Sequence, residues 1–330
     1  MEQTAKVGAK RQFMKGYFVV FLVLVALFVF MTFASKNFLT YDNLYNLARA
    51  TAVYGIVALA MTFVIVTGGI DLSVGTNLGL ASMMFTMLIE SAAWGVVPSI
   101  IAAIVTCGCI GAINGVLIYD GKLPPFIATL GMKTITRAII LLISGGKNIS
   151  IHNTDFNNFA TLTIGVPGVN AYGNETTLGV PVMVLVWIVL IVISFIIFRY
   201  TTFGRNIFAC GSNVNAARLS GISVRKTIYG AFIVSAVFCS IGGLLSASRL
   251  RSGIPTLGDG YEEDAIAAAV IGGASMAGGE GYIGGTVVGS LLIATIKNAG
   301  TLLGFDTNVT KLVIGALIIV AVLIDRFKKH

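Results

Sequence analysis

The run VTGGIDLSVG (66–75) sets an acid, Asp71, after an apolar stretch that Gly68 and Gly69 have already interrupted, and just ahead of a new one. A helix broken within a membrane is written this way. An acid at that depth can hold a cation, relay a proton or accept hydrogen bonds from the hydroxyls of a passing substrate. As the N-cap of the following helix it would instead accept backbone N–H groups near Ser73 and Val74. Lys133 and Arg137 lie four apart in another apolar run, hence on one helical face. Against lipid each would cost about 2.5 to 3.5 kcal/mol. They are therefore expected to face the interior, a cavity or a partner carboxylate, unless they snorkel or pair structurally. In a third stretch, DAIAAAVIGGASMAGGEGYIGG (264–285), Glu262, Glu263 and Asp264 open a helix of small residues. Alanine and glycine at this density let helices approach closely or slide, which suits a pore lining and plain tight packing alike.

Enzymatic signatures are missing. No G-x-x-x-x-G-K-[ST] occurs, since SGGKNIS and YDGKLPP lack its spacing. His152 and His330 are the only histidines and fall outside the apolar runs, which supports neither a buried metal site nor a histidine base. Cys107, Cys109, Cys210 and Cys239 have no paired spacing and read as small buried hydrophobes. A conduit is expected and not a catalyst, with no cofactor and no metal.

The elements that must position these groups follow from hydropathy. The chain is 56% hydrophobic and 11% charged, against roughly 25% charged in a soluble domain. Runs long enough to cross a ~30 Å hydrocarbon layer recur at 16–34, 50–67, 72–92, 96–119, 126–144, 178–198, 227–248, 265–276, 282–299 and 309–324. An all-α polytopic membrane protein is expected, with about ten helices of which some are short or broken. The first run reads as a retained anchor, lacking a small-residue cleavage site. The net charge of +8 matters less than its placement. With both ends inside, only Lys36, Arg49, Lys147, Arg249 and Arg251 fall outside, whereas the tails, Lys122, Arg199 and the segment 199–226 carry the majority. The expected order is a basic cytoplasmic tail 1–15, one transmembrane domain 16–325 and a short cytoplasmic tail 326–330. An outside loop at 145–177, rich in asparagine and broken by Pro and Gly, argues against a helix through it.

Segment 199–226 contains FGRNIFACGSNVNAARLSGISVRK (203–226), basic and without an acid. Asn213 or Asn215 can cap a short helix through AARLSG that Gly221 ends. A loop that only fixed topology would scatter its charges, whereas a capped helix flanked by glycines suits docking. Small residues in GCIGAINGVLI (108–118) and GGTVVGSLLI (284–293) could echo one another or simply pack helices.

Four blocks carry a resemblance: GGIDLSVG (68–75), PFIATLGM (125–132), FGRNIFACGSNVNAARLSGI (203–222) and YEEDAIAAAVIGGASMAGGEGYIGG (261–285). In residue and order the chain resembles the membrane permeases of bacterial ribose-type monosaccharide ABC importers, from about position 38 to 325. The resemblance implies a dimeric ABC importer permease fold in the bacterial inner membrane. Its implied partners are a second copy or close paralogue, a separate ATP-binding subunit and an extracytoplasmic sugar-binding protein. Residues 213–221 would then be the coupling helix, with Gly204, Arg205, Gly211, Asn213, Ala216, Ala217, Arg218 and Gly221 serving the ATPase contact. Asp71, Phe126, Thr129, Lys133, Arg137 and Asp264 make the candidate lining of the path, and Arg249 and Arg251 the candidate docking site for the binding protein. Cys210 and Ser212 stand where aliphatic and glycine residues are more usual, and Lys133 where the family is generally apolar. A permease for branched-chain amino acids or a sugar-derived signal would share the architecture. An ion-coupled secondary transporter, with Asp71 as its ion site, would need no ATPase.

Overall fold

The computed structural model describes residues 19–160, 162–169 and 175–327. The basic tail 1–15, the start of the first run, Asn170, Asn174 and residues 328–330 lie outside them. The helices are α1 (Val19–Ala34), α2 (Tyr41–Val66), α3 (Val74–Glu90), α4 (Val96–Tyr119), α5 (Pro125–Ser144), α6 (Thr154–Phe159), α7 (Val182–Tyr200), α8 (Thr202–Ser212), α9 (Val214–Leu219), α10 (Val224–Leu250), α11 (Tyr261–Ile271), α12 (Ile283–Leu302) and α13 (Thr307–Phe327). Six of them, α2, α4, α5, α7, α10 and α12, are by length and composition fit to cross a membrane; α1, α3 and α13 are apolar but shorter by that measure. The protein is a mostly helical, polytopic membrane protein.

Two small sheets correct the all-α expectation. Strands β1 (Ile149–Ser150) and β4 (Ser252–Gly253) pair antiparallel, as do β2 (Thr163–Val169) and β3 (Glu175–Pro181). The second pair takes over the start of the run expected at 178–198, because Thr163 to Pro181 finds its backbone partners across a hairpin. Helix α6 likewise lies within the loop expected to be helix-free. Asn153 caps it by accepting the Phe156 N–H at 2.9 Å, and Phe156 stacks on Phe85 of α3 at 3.9 Å between centroids. A cap and one aromatic anchor suffice for so short a turn.

α2 and α10 form the centre, and both carry long uninterrupted buried runs. α4 meets α10 through Gly111 and Gly115, where an added Cβ would meet Ala236 and Tyr229 at 2.9 Å. α12 meets α11 in the same manner, with Gly285 against the Gly272 backbone and Gly289 against the Ala268 backbone. The two glycine-rich runs therefore serve close packing. Turns sort into two ends. At one, Gly279 N–H donates to Val66 O (2.9 Å) and Arg225 reaches Asp120 (2.9 Å). At the other, His152 N–H donates to Glu90 (2.8 Å), Ala160 N–H donates to Ser248 (3.0 Å) and β1 pairs with β4.

Candidate functional site

The basic segment folds as two helices. α8, whose presence the sequence reading did not single out, is capped by Thr201, which accepts Gly204 N–H at 3.0 Å. α9 is capped by Asn213, whose side chain accepts Ala216 N–H at 3.0 Å. Its end has the expected form: Gly221 takes φ +80, and Ile222 N–H returns to Ala217 O at 3.0 Å, which a residue with a Cβ would resist. Ala217 is buried against Cys210 and Val224, while Arg205, Arg218 and Ala216 are exposed. Leu219 is 90% exposed, a large apolar side chain held out at one end of the protein.

Gly204 and Gly211 are needed for a different reason. Gly204 presses its Cα onto the Ile197 carbonyl of α7, and Gly211 onto Val66 O of α2 and the Gly279 backbone. Gly278 and Gly279, at φ +82 and +77, turn the chain there, with Gly278 against Gly68 and Gly279 against Ser212. Three of the four sequence blocks thus meet backbone to backbone: the end of α2, the end of α8, and the 275–281 turn between α11 and α12. Ser212 packs against that turn.

Asp71 sits in the chain between α2 and α3 and is fully buried. One carboxylate oxygen accepts Ser73 N–H (2.9 Å) and Ser73 O–H (2.5 Å), and the other accepts Ser235 O–H from α10 at 3.3 Å. Ser73, not Asp71, occupies the N-cap position of α3, and its own side chain makes no cap bond. Asp71 closes the turn two residues ahead of the helix, because the chain must still travel from Gly69 to the α3 axis. Asn114 of α4 donates to Ser73 Oγ at 3.0 Å. Thr129 of α5 donates to Ile70 O (3.1 Å) and accepts Leu72 N–H (3.1 Å). Thr129 is fully buried; it holds this turn and faces no opening. Phe126, by contrast, is 51% exposed at the start of α5.

Lys133 and Arg137 do share a face; Arg137 reaches the irregular segment 254–260 and Lys133 the first turn of α11 that follows it. Lys133 Nζ pairs with Glu262. Arg137 pairs with Asp259 and donates to the Pro255 carbonyl and to Leu257 O (3.2 Å). The same segment lies over α3, Gly258 against Gly75 and Leu257 O against Gly79. Asp264 is buried and pairs with Lys297 of α12, which sits over the Tyr54 ring at 4.5 Å. Asp264 therefore belongs to a closed polar cluster between α2, α11 and α12. Lys297 was missed in the sequence, although a lysine within an apolar run always calls for a partner. Glu262 and Asp259 were missed as the counter-charges of α5. Arg249 lies half-buried in the last turn of α10 and lines a small cleft with Tyr54 and Tyr261, whereas Arg251, the left-handed C-cap at φ 53, is exposed.

Residues 43–322 match the family described as "Branched-chain amino acid transport system / permease component". The ribose import permease protein RbsC of Bacillus subtilis (strain 168) is 38% identical over 93% of this chain and 92% of its own. RbsC of Escherichia coli (strain K12) is 36% identical over 99% of both, and the D-allose transport system permease protein AlsC of the same strain is 35% identical over 94% and 91%. The chain belongs to this family of import permeases. The permease is accordingly a transport component and not an enzyme. No solved structure matches it.

Proposed function

We propose that this chain is the transmembrane permease of an ATP-driven importer, passing a monosaccharide, ribose or a close relative, from an extracytoplasmic binding protein into the cell. The observation that carries this reading is the likeness to RbsC of two bacteria along nearly the whole chain. The family description names branched-chain amino acids, but the individual relatives named for ribose, allose and xylose favour a sugar. In this reading ten helices are membrane-embedded: the six long ones, the three shorter apolar ones and α11. The end that carries α8 and α9 is basic, which supports a cytoplasmic position for it and for both termini. The membrane is then the bacterial inner membrane, and the partners are a second permease copy or close paralogue, an ATP-binding subunit and a sugar-binding protein.

In this reading α9 seats in the ATPase, with Leu219 and Arg218 as its projecting groups. α8 passes the movement to α2 and to the 275–281 turn through Gly211. The test is ATP hydrolysis by the permease–ATPase complex in liposomes, with and without ribose-loaded binding protein. Ala217→Pro removes the Ala217 N–H bond to Asn213 O (3.0 Å) and costs roughly 3 kcal/mol in a helix interior. Arg218→Glu reverses the charge at the contact. Both variants should insert normally and lose stimulation by the loaded binding protein. Full stimulation in both would mean that α9 only fixes topology. Uptake that collapses on ATP depletion with the ion gradient held separates this reading from an ion-coupled carrier.

A further inference from the structure

The hairpin of β2 and β3 leaves one apolar face without a partner. Its register sets Ile164 opposite Val180 and Val166 opposite Leu178, and residues directly opposite in an antiparallel pair share a face. Leu162, two residues before Ile164, continues the row. The intervening residues turn toward the start of α2. Thr163 meets Tyr45 hydroxyl to hydroxyl at 2.7 Å, while Tyr41 accepts Gly179 N–H at 2.9 Å and donates to Thr177 O at 3.2 Å. On the other face Leu162, Ile164, Val166 and Val180 are 44–65% exposed. A two-stranded hairpin is marginal by itself, and an apolar row of this kind marks a surface that something covers. Between Asp155 and Arg199 the only charged residue is Glu175.

The depth of the row follows from α7. That helix has 19 residues, roughly 28 Å at 1.5 Å per residue and close to one hydrocarbon thickness, and it starts at Val182, directly after β3. Val182 N–H donates to Leu162 O at 3.0 Å, so the base of the hairpin stands at the hydrocarbon boundary. Even upright, the hairpin would hold Ile164 and Val180 within about 7 Å of it, the reach of the headgroup layer. Tyr41 and Tyr45 belong at the same level, where tyrosines are enriched. Below the row, α7 packs on α2 through Trp187, which a Cβ at Gly55 would strike, and it turns Ile188, Val189, Val192 and Ile193 outward. Hairpin and α7 thus rest on one helix and present their uncharged sides outward together.

We propose that the hairpin is an interfacial anchor, its row of Leu162, Ile164, Val166, Leu178 and Val180 laid into the lipid of the outer leaflet, so that the partner of this surface is the bilayer itself. A docking face for a soluble protein would carry a polar rim. Here the row runs without a charge into the outward side of α7. Through Tyr41 and Tyr45 the anchor holds one end of α2, the helix whose other end meets α8 at Gly211. The inference goes beyond the importer reading and takes from it only the orientation.

The test is the accessibility of nitroxide labels in the full chain, reconstituted in liposomes of phosphatidylethanolamine and phosphatidylglycerol. The exposed Cys109 is replaced by Ser; the other three cysteines are buried. Single labels are placed through Ile164→Cys and Val166→Cys. Val189→Cys, 56% exposed on α7, is the lipid control, and Asn148→Cys, exposed in the turn before β1, is the water control. Collisions with oxygen, which concentrates in lipid, are compared with collisions with a water-soluble nickel chelate. Both hairpin labels should give an oxygen-to-nickel ratio on the Val189 side of the midpoint between the two controls. A ratio at the Asn148 end overturns the proposal, and is what a row reserved for a soluble binding protein would give in its absence. Labels shielded from both reagents overturn it as well, and would assign the row to a contact between two copies of the chain. Ile164→Asp with Val180→Asp should carry the label at 166 toward the water control, and an unmoved ratio would refute an anchor formed by the row. No sugar, nucleotide or ATPase enters the measurement, so its failure leaves the importer reading untouched.

Discussion

Gly211→Ala tests the junction that joins the basic segment to the membrane helices. Gly211 is the penultimate residue of α8, and its Cα rests on Val66 O and the Gly279 backbone. Val66 O also accepts the Gly279 N–H at 2.9 Å. A methyl group placed there meets main chain on both sides and no flexible side-chain end that could yield, so one of three segments must move. Overpacking costs about 1–3 kcal/mol, and loss of the Gly279 bond about 1 more. The helical preference of Ala over Gly returns up to about 1. The net expectation is a loss of about 1–3 kcal/mol, together with a displaced α8. Thermal unfolding of the detergent-solubilised complex should show a lower midpoint, and ATP hydrolysis should lose its response to loaded binding protein while the basal rate persists. Gly221→Ala is the contrast. It has nothing within 4 Å at φ +80, so its cost is only the roughly 1–2 kcal/mol of a left-handed Ala, confined to the end of α9. A Gly211→Ala complex with wild-type midpoint and full stimulation would show that the three backbones have slack, and the proposed route from α8 to α2 and α11 would fall.

Two further outcomes follow from the charged groups. Lys133→Met leaves Glu262, 3% exposed, without its cation, and should destabilise the complex by about 2–5 kcal/mol; Lys133→Met with Glu262→Met should recover most of that, since a hydrophobic pair avoids desolvating charge. Equal midpoints for the single and double variants would mean that the pair holds nothing. Arg251→Glu should weaken binding-protein docking more at low salt than at high salt, measured by the binding-protein concentration for half-maximal ATPase stimulation. Arg249→Glu, half-buried in α10, should in addition lower the unfolding midpoint, and identical salt-screened behaviour of both would contradict their different burial.

What the sequence made legible was local. Asn213 and Gly221 announce a helix between them because a cap and a left-handed stop are decided within a few residues. The long helices are legible because lipid demands an apolar run wherever the chain crosses. The glycines at 111, 115, 285 and 289 are readable as packing residues, but not their partners. The rest was set by distant neighbours. Lys133 and Glu262 are 129 residues apart in the chain, and Arg137 and Asp259 are 122 apart. Nothing in the spacing of α5 points to segment 254–260. Thr129 and Asp264 read as path residues for the same reason: a polar group in an apolar run signals that a partner exists, and not whether the partner is water or another side chain. The 163–181 hairpin was hidden because its Pro- and Gly-containing strands lack the alternation that marks a long strand.

The brevity of α11 ties these findings together. A full-length membrane helix packed along its whole side would spread any displacement over many contacts. α11 has 11 residues, four of them alanine, and packs through Ala268 and Gly272 against the glycines of α12, so few side chains interlock to resist a slide or tilt along that contact. Both its ends are fixed to something that moves or matters. Glu262 at its start is tied to Lys133 of α5, and the 275–281 turn beyond its end lies on the α8 junction. A displacement of α8 by the ATPase thus has a short, smooth element through which to reach the middle of the membrane. Gly289→Leu on α12, which drives a side chain into the Ala268 backbone, should lock that contact. If α11 carries the movement, the variant keeps basal ATP hydrolysis, and a thiol introduced at the exposed Thr256 as Thr256→Cys keeps its reactivity toward a charged methanethiosulfonate, but that reactivity no longer changes between nucleotide-free and ATP-bound complexes. An undiminished change on ATP binding would exclude α11 as the connecting element.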